Sequence, residues 1–240
     1  MGWGVTSFPL ARFVSATNPL SPIAARRPSG SGECRDRRNT TKTHVNGTQT
    51  SSNPESSDRY SAIQQATRAH RASHGCWAYT FEDGPSLHRL AARWNAHRVL
   101  ELGTALGYTA CCLAGSGSEV RVDTIERDAM HVALAREQIA SVGLADRITV
   151  HHGSFEAVMK NLSPCYDLAF FDGFTPDPQL IHALRQLLVD GGILVCANVE
   201  LALSAEAGAL RQALDDPLQW QQEASIEAGA TRVLIKRSGR

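Results

Sequence analysis

Residues 99–109 read Val-Leu-Glu-Leu-Gly-Thr-Ala-Leu-Gly-Tyr-Thr, and this stretch decides the fold. Its apolar start leads into a turn that carries two glycines and then into a helix-forming segment. Gly103 permits a tight turn, and Gly107 allows a ligand or a facing strand to come close to the start of the helix. Two glycines alone are weak evidence, because this spacing often only packs a helix on a sheet. Together with the strand before them, they predict a ligand site at the carboxyl end of that strand.

The turn differs from the phosphate-binding fingerprint of dinucleotide folds. That fingerprint, GxGxxG, has a second glycine where the pyrophosphate approaches the backbone. Here Thr104 and Ala105 follow the first glycine, and a carboxylate, Glu101, precedes it. An acid in the pocket favours a cationic ligand, and S-adenosylmethionine has an ammonium and a sulfonium but no phosphate. The turn therefore fits S-adenosylmethionine better than NAD.

A second acid, Glu126, ends the next predicted strand, about 20 residues beyond the glycine turn. A carboxylate at this place can accept hydrogen bonds from both hydroxyls of a ribose, as the corresponding acid does in dinucleotide folds. We therefore predict that Glu126 binds the ribose of the ligand.

Segments of alternating type surround this motif from residue 61 to the C-terminus. The patterns predict strands at 98–102, 120–126, 147–151, 166–171, 193–197, 220–226 and 232–236. They predict helices at 61–74, 84–95, 108–114, 128–142, 155–162, 178–188 and 204–214. Five strand–helix units followed by a hairpin indicate a doubly wound α/β fold. Its seven-stranded sheet should be mostly parallel, with helices on both faces and one antiparallel strand near the edge.

Residues 1–60 differ in composition from the rest of the chain. They are rich in Ser, Thr, Asn, Pro, Gly and Arg, and they show no apolar period of 2 or 3.6 residues. Such a segment cannot bury enough apolar surface to offset the entropy of ordering it. We expect a disordered basic extension over residues 1–60 and one folded domain over 61–240. An organellar transit peptide and a start codon assigned too far upstream remain alternative explanations of the extension.

Charge and cysteine usage narrow the class of protein. The chain has 24 basic and 24 acidic side chains; 8 basic and 4 acidic ones lie in residues 1–60, so the predicted domain is mildly acidic. Nucleic acid is therefore not the expected partner. No apolar run approaches the roughly 20 residues that cross a bilayer, so no membrane partner is expected. There is no CxxC pair and no His/Cys cluster at zinc spacing, which indicates reduced cysteines in a cytoplasmic protein: Cys34, Cys76, Cys111, Cys112, Cys165 and Cys196.

Five stretches in order carry a family resemblance: VLELGTALGYT at 99–109, DTIERD at 123–128, ADRITVHHGSF at 145–155, YDLAFFDG at 166–173 and LLVDGGILVCAN at 187–198. With them, residues from about Thr80 to Lys236 resemble the class I S-adenosylmethionine-dependent methyltransferases. The resemblance is greatest to the small-molecule O-methyltransferases of the catechol and caffeoyl-coenzyme A type. It implies a Rossmann-like methyltransferase fold and transfer of a methyl group from S-adenosylmethionine to a small hydroxylated acceptor.

The resemblance also implies roles for single residues. Residues of the glycine turn would hold the methionine part of the cofactor: Glu101, Gly103, Thr104, Gly107, Tyr108 and Thr109. Glu126 would bind the ribose, and three residues after the third strand would line the adenine: Gly153, Ser154 and Phe155. Asp172, which closes the fourth strand, would lie beside the methyl donor as the catalytic residue.

The family's metal site is altered in this chain. In the metal-dependent members the fifth strand ends in Asp-Asn, and both side chains join the strand-four acid around magnesium; here the pair is Ala197-Asn198. The family's second aspartate and lysine after strand four are replaced by Phe174 and Thr175. Magnesium needs a near-octahedral set of oxygen ligands. We therefore expect no catalytic metal.

Several alternatives stay open. His151, His152 and His182 could act as a general base, but each could equally be structural, and none is assigned. Two other functions use the same fold: aminopropyl transfer from decarboxylated S-adenosylmethionine, and non-catalytic binding of the cofactor. A homodimer also stays open.

Overall fold

The computed structural model describes residues 58–174, 176–202 and 204–239, so the predicted extension up to residue 57 lies outside the described residues. The helices are α1 (Ser61–His74), α2 (Gly84–Arg93), α3 (Tyr108–Ala114), α4 (Ala129–Ser141), α5 (Phe155–Met159), α6 (Pro178–Leu187) and α7 (Ser204–Asp215). The strands are β1 (Arg98–Leu102), β2 (Arg121–Glu126), β3 (Ile148–His152), β4 (Tyr166–Phe171), β5 (Leu188–Cys196), β6 (Trp220–Gln222) and β7 (Arg232–Lys236). Within this part of the chain, no helix has the length and apolar character that a membrane crossing requires.

The strands form one seven-stranded sheet in the order β3-β2-β1-β4-β5-β7-β6. Strands β1 to β5 pair in parallel, and β7 runs antiparallel to both of its neighbours. The predicted fold class, including the one reversed strand near the edge, is confirmed. The strand order reverses direction between β1 and β4. In a doubly wound sheet a ligand binds at the carboxyl ends of the strands at this switch point.

The sheet is buried on both faces, and its side chains alternate between two apolar clusters. Val99 belongs to the cluster on one face, whereas Leu100 and Leu102 belong to the cluster on the other. In β4 the same alternation separates Phe170 from Phe171. Because both faces are covered, the strands are continuous apolar runs, which is typical of parallel sheets. Burial of this kind holds the carboxyl ends of β1 and β4 in fixed positions.

The C-terminal third differs from the prediction in two places. Strand β5 already begins at Leu188 and continues through Asp190-Gly191-Gly192, which the sequence pattern indicates as a break before residue 193. A Cβ at position 192 would lie 2.8 Å from the carbonyl oxygen of Val189. Because glycine has no Cβ, the strand can pass this close to the backbone of Val189. Strand β6 is shorter than predicted, and a 3-10 turn at Glu227–Gly229 replaces the plain hairpin turn.

Asp58 and Tyr60, which come before the predicted domain boundary at residue 61, contact residues of the domain. Tyr60 is only 4% exposed and packs in the core. The carboxylate of Asp58 accepts a hydrogen bond from the hydroxyl of Tyr108 and another, of 3.0 Å, from the backbone N–H of Tyr60. Three residues are too few to show a periodic pattern, so the sequence alone could not indicate these contacts.

We expect two N-terminal truncations to behave differently. Removal of residues 1–57 should change the midpoint of thermal unfolding by less than about 2 °C, because that segment has no apolar pattern with which to dock. Removal of residues 1–60 should lower it by roughly 6–12 °C, since it deletes one buried aromatic side chain, worth about 3 kcal/mol. Calorimetric scans of the two proteins and the full chain measure this. A large loss from the shorter truncation would contradict the prediction.

Candidate functional site

The glycine turn between β1 and α3 is held in a left-handed backbone conformation. Gly103 has φ +102°, and a Cβ there would lie 2.9 Å from the carbonyl oxygen of Asp172, so no other residue fits without a shift. Ala105 also has a positive φ of 45°, which is unfavourable for a residue with a side chain. The backbone N–H of Gly107 donates to the carbonyl of Thr104 at 2.8 Å and closes the turn. The shape of the turn is thus determined by Gly103 and by this hydrogen bond.

Gly107 lies close to helix α4. A Cβ at this position would lie 3.1 Å from Cγ1 of Ile139 on that helix. Its φ of +93° is a second reason for glycine at the start of α3.

Glu101 is fully buried at the end of β1 and has one unpaired oxygen. Its Oε2 accepts a hydrogen bond of 2.6 Å from Thr124, whose hydroxyl also lies 2.6 Å from the hydroxyl of Thr104. Its Oε1 is buried and has no hydrogen-bond partner within the described residues. Burial raises the pKa of Glu101 to about 7, although the nearby hydroxyls of Thr109 and Thr124 act in the opposite direction. A buried, unpaired carboxylate oxygen is costly unless a cationic or hydrogen-bonding group meets it.

Glu126 ends β2 and is oriented by the backbone. Its Oε2 accepts from the N–H of Ala105 in the glycine turn, and its Oε1 from the N–H of Asp128; both bonds measure 3.0 Å. Each oxygen keeps a lone pair for a further donor. The carboxylate is thus held beside the glycine turn, where two hydroxyls of one ligand could reach it.

The three predicted adenine residues lie next to Glu126. The backbone N–H of Gly153 donates to the carbonyl of Glu126 at 2.9 Å. Ser154 is the N-cap of α5, and its hydroxyl oxygen accepts from the N–H of Ala157 at 3.3 Å, which leaves its own proton free to donate. The ring of Phe155 packs edge-on against Phe171, with centroids 6.2 Å apart. These contacts place all three at the end of β3, beside the predicted ribose ligand.

Asp172 follows β4 at the same end of the sheet. Its backbone N–H donates to the carbonyl of Leu102 at 2.9 Å, and its Oδ1 accepts from the amide of Asn198 at 3.3 Å. Burial, together with the negative charges of Glu101 and Glu227, raises the pKa of Asp172 well above its usual range. The carboxylate is therefore poised to take up a proton or to face a cation.

The contribution of Glu227 was not predicted. It lies in the turn between β6 and β7, 55 positions from Asp172 in the sequence, with a positive φ of 51°. Its Oε2 accepts a hydrogen bond of 2.7 Å from the hydroxyl of Thr231. Only the topology, which places β7 beside β5, brings this turn towards Asp172. No local pattern could have indicated it.

The residues at Asp172 do not fit the family's magnesium site. Ala197 is buried and offers no ligand atom, and Thr175 lies outside the described residues. The amide nitrogen of Asn198 donates to Asp172 and, at 2.8 Å, to the carbonyl of Gly173. Asp172 belongs to no cluster of three or more acidic, histidine or cysteine ligands in the described ranges. The carboxylate that the metal-dependent members of the family carry at the position of Ala197 is therefore missing from this site.

The three histidines considered as bases lie outside the pocket. His151 Nε2 is 2.7 Å from Asp123 Oδ1, in a network that also includes Tyr166. His152 contacts the carbonyl of Arg127 at 3.2 Å and is exposed. His182 lies on α6, where its Nε2 is 3.4 Å from the side-chain amide of Gln186. Each makes a structural or surface contact, whereas Asp172 is the carboxyl group among the residues that line the cavity above the glycine turn, and its pKa is raised.

A cavity lies above the glycine turn. Sequence patterns did not predict the residues that line it opposite the turn. Tyr79 to Phe81 cover the turn, and the side-chain amide of Gln64 on α1 donates to the carbonyl of Phe81 at 2.9 Å. The cavity brings together these residues: Thr67, Tyr79, Thr80, Phe81, Gly103, Thr104, Ala105, Tyr108, Thr109 and Asp172. Tyr108 lines it but directs its hydroxyl to Asp58, and burial together with that carboxylate raises the pKa of Tyr108.

Three exposed aromatic side chains lie beside this cavity. Trp77, Tyr79 and Phe174 are 68%, 54% and 67% exposed. The ring of Trp77 lies 5.7 Å from that of Phe174, edge to face, and 6.2 Å from that of Tyr79. Large apolar side chains that converge in solvent next to a cavity commonly mark a binding surface. Phe174 comes two residues after Asp172, so this surface adjoins the catalytic candidate.

Comparison with known proteins shows similarity to methyltransferases. A family model described as a methyltransferase domain matches residues 100–199. Catechol O-methyltransferase from Mycobacterium tuberculosis is 36% identical over 125 residues, which cover 51% of this chain but only 57% of that protein. The chain thus spans less than two thirds of that relative. A protein of Mycobacterium sp. (strain JLS) that is named as an O-methyltransferase is 30% identical over 164 residues, covering 63% of this chain and 74% of its own length.

Solved structures agree with these relatives. Cofactor-bound Rv0187 from MTB is 29% identical, covers 75% of this chain and 89% of its own, and superposes with a TM-score of 0.58. The O-methyltransferase TomG from Streptomyces achromogenes, solved with S-adenosylmethionine, has a TM-score of 0.63 over 75% of this chain and 89% of its own; at 24% identity it supports the fold alone. Fold, motif order and relatives agree: the chain belongs to the class I S-adenosylmethionine-dependent O-methyltransferases.

Proposed function

We propose that this chain binds S-adenosylmethionine above the ends of β1 and β2 and transfers its methyl group to a hydroxyl oxygen of a small aromatic molecule. The observation that carries the proposal is the buried carboxylate of Glu101, with one oxygen unpaired beside the glycine turn. The cofactor supplies an activated methyl group on a sulfonium. Family membership supports the reaction type, whereas the acceptor is inferred from the surface around Asp172.

The binding roles follow from the charges and donors in the site. The unpaired oxygen of Glu101 would receive the α-ammonium, which removes the cost of leaving a buried carboxylate oxygen unsatisfied. Glu126 would accept from the two ribose hydroxyls, because its carboxylate is already oriented by two backbone donors. Ser154 has a hydroxyl proton to donate to the adenine. No donor cluster suited to a pyrophosphate is needed, which distinguishes this site from an NAD site.

Asp172 would act on the acceptor. Methyl transfer converts a hydroxyl into an ether, so the hydroxyl proton must leave as the new bond to carbon forms. A carboxylate with a raised pKa is a better proton acceptor than an ordinary aspartate, and Asp172 has such a pKa. Beyond this, rate enhancement rests on holding the two reactants in line.

The exposed rings of Trp77, Tyr79 and Phe174 favour an aromatic acceptor. Trp77 and Phe174 meet edge to face and Tyr79 is tilted towards Trp77, so a further aromatic ring could pack against the same surface. A phenol or catechol seated there would bring its hydroxyl near Asp172, two residues from Phe174. Catechol is also the acceptor class in the name of the Mycobacterium tuberculosis relative.

We expect the purified full chain to bind S-adenosylmethionine and S-adenosylhomocysteine with micromolar dissociation constants, about −8 kcal/mol, and to bind NAD much more weakly. Titration calorimetry with the three ligands measures this. S-adenosylhomocysteine formation across a panel of catechols and monophenols then tests the reaction. Tight NAD binding without S-adenosylmethionine binding would contradict the proposal; cofactor binding without turnover on any hydroxylated acceptor would favour the non-catalytic alternative.

A further inference from the structure

Three potential metal ligands converge outside the cofactor site. His70 on α1, Cys76 after α1 and His131 on α4 each offer one ligand atom, and these atoms all lie within 4.8 Å of one another. His131 is buried, and His70 and Cys76 are partly buried. Sequence spacing did not reveal this group, because His131 lies 55 positions beyond Cys76. It is the one group of three or more such ligands in the part of the chain that the structure describes.

The fold, rather than chance side-chain positions, brings these three residues together. Helix α1 ends at Gly75, which has a left-handed φ of +61° and donates its N–H to the carbonyl of Arg71 at 2.8 Å. This cap turns the chain back, so Cys76 comes under the last turn of the helix that carries His70. His131 lies in the first turn of α4, where Asp128 caps the helix through the N–H groups of Met130 and His131. Both ends of the group are therefore fixed by helix caps.

The donor set is that of a zinc-class ion. Two imidazole nitrogens and one thiolate sulfur suit Zn²⁺ far better than Mg²⁺ or Ca²⁺, which prefer oxygen. Cys76 is in no disulfide, so its sulfur is available to bind a metal ion. The ring of His70 lies 5.4 Å from that of His131 and edge-on to it, so both rings face one volume. A small movement of the side chains would bring the three atoms to bonding distance of one ion.

Neighbouring groups support such a site. The ring of His74, one turn beyond His70, lies 4.5 Å from it and is exposed, so His74 or water can complete a tetrahedron. Glu126 Oε1 lies 3.9 Å from Nδ1 of His131, too far for a hydrogen bond. It nevertheless lies where carboxylates commonly orient a metal-bound imidazole. No positively charged side chain of Lys or Arg is among the three ligands.

We propose that His70, Cys76 and His131 bind one zinc-class divalent ion, with the fourth position taken by His74 or water. The ion would tie α1 to α4 next to Glu126, and it would fix the chain at Cys76, directly before Trp77. The site is structural rather than catalytic, because none of its ligands lines the cavity above the glycine turn. It does not depend on the proposed methyl transfer.

The test uses Co²⁺ as a spectroscopic probe for Zn²⁺ on the untagged, reduced full chain. We expect one equivalent of Co²⁺ to produce tetrahedral d–d absorption and a thiolate-to-cobalt charge-transfer band, and Zn²⁺ to abolish both by displacement. Cys76→Ser should remove the charge-transfer band. His70→Gln should weaken Co²⁺ binding by more than about 100-fold, since even outer-shell partners cost about 10- to 100-fold.

Matched controls separate this site from adventitious binding. His182→Gln and Cys165→Ser alter one histidine and one cysteine outside the group, and they should leave both the bands and the affinity unchanged. His131→Gln could disturb packing because His131 is buried, so its circular dichroism is checked first; the two partly exposed ligands carry the test. Saturating Co²⁺ without a charge-transfer band in the natural chain, or a band that persists in Cys76→Ser, would overturn the proposal.

Discussion

Replacing Glu101 with glutamine is expected to weaken S-adenosylmethionine binding by roughly 30- to 700-fold. The substitution keeps the shape of the side chain and one acceptor for the hydroxyl of Thr124, but it removes the negative charge that faces the ammonium. Loss of one partner from a buried charged hydrogen bond costs about 2–4 kcal/mol, and each 1.4 kcal/mol is tenfold in affinity. Titration calorimetry at constant pH measures the loss.

The pH dependence of binding identifies the charge of Glu101 as the cause. Without ligand its pKa is about 7, so at pH 6 much of the protein carries the neutral acid, which binds a cation poorly. Affinity in the natural chain should therefore rise between pH 6 and 8, and this rise should be absent in Glu101→Gln. Glu119→Gln, which alters an exposed acid outside the cavity, should retain both the affinity and its pH profile. An unchanged affinity in Glu101→Gln would show that the cofactor does not contact this carboxylate.

The same pKa has a consequence for the unliganded fold. The folded-state pKa of Glu101 is raised from its ordinary value of 4.5, so the unfolded chain releases this proton first as the pH rises. The contribution of Glu101 to the free energy of unfolding therefore falls as the pH rises from 4.5 to about 7. Above the folded-state pKa it falls no further. A cationic ligand reverses this loss.

Local sequence patterns predicted the ends of those helices and strands that are bounded by their own turn residues. Strand β1 and helix α3 have the predicted limits, because the glycine turn between them ends one and starts the other. Strand β5 was predicted too short, since Gly191-Gly192 normally marks a break. Its pairing with β4, which shifts in register between Tyr166 and Leu168, carries the strand through these glycines. Pairing of that kind is a tertiary effect that no local pattern contains.

The candidate site shows the same difference between what local patterns predict and what tertiary contacts add. The motif placed Glu101, Glu126 and Asp172 at strand ends, and the sheet brings those ends to one edge. The groups that adjust them come from far away in the sequence: Asp58 holds Tyr108, and Glu227 raises the pKa of Asp172. Such contacts depend on where helices and turns settle on the sheet. Sequence reasoning could thus place these carboxylates at one edge of the sheet but could not indicate their surroundings.

Asp172→Asn is expected to lower turnover by about 10²- to 10⁴-fold, the usual range for removing a positioned general base. Asparagine keeps the size of the side chain and can still meet Asn198, but it cannot take up the acceptor's proton. S-adenosylmethionine affinity should change much less, because Asp172 acts on the acceptor. Initial rates with the best phenol of the panel, together with calorimetry, separate the two effects. A variant with natural turnover would remove Asp172 from the mechanism.

Turnover of the natural chain is also expected to be independent of magnesium, because Ala197 leaves Asp172 and Asn198 without the further oxygen ligands that magnesium needs. Added EDTA should leave the rate unchanged, and added Mg²⁺ should not raise it. The zinc-class site complicates this assay, so it is repeated with Cys76→Ser. If EDTA lowers turnover, Zn²⁺ restores it, and Cys76→Ser shows no such loss, the effect belongs to the zinc-class site.

If EDTA lowers turnover in both proteins and Mg²⁺ restores it, then Glu227 or another oxygen donor completes a magnesium site at Asp172. Ala197→Asp, which returns the missing carboxylate, should then bind Mg²⁺ more tightly than the natural chain.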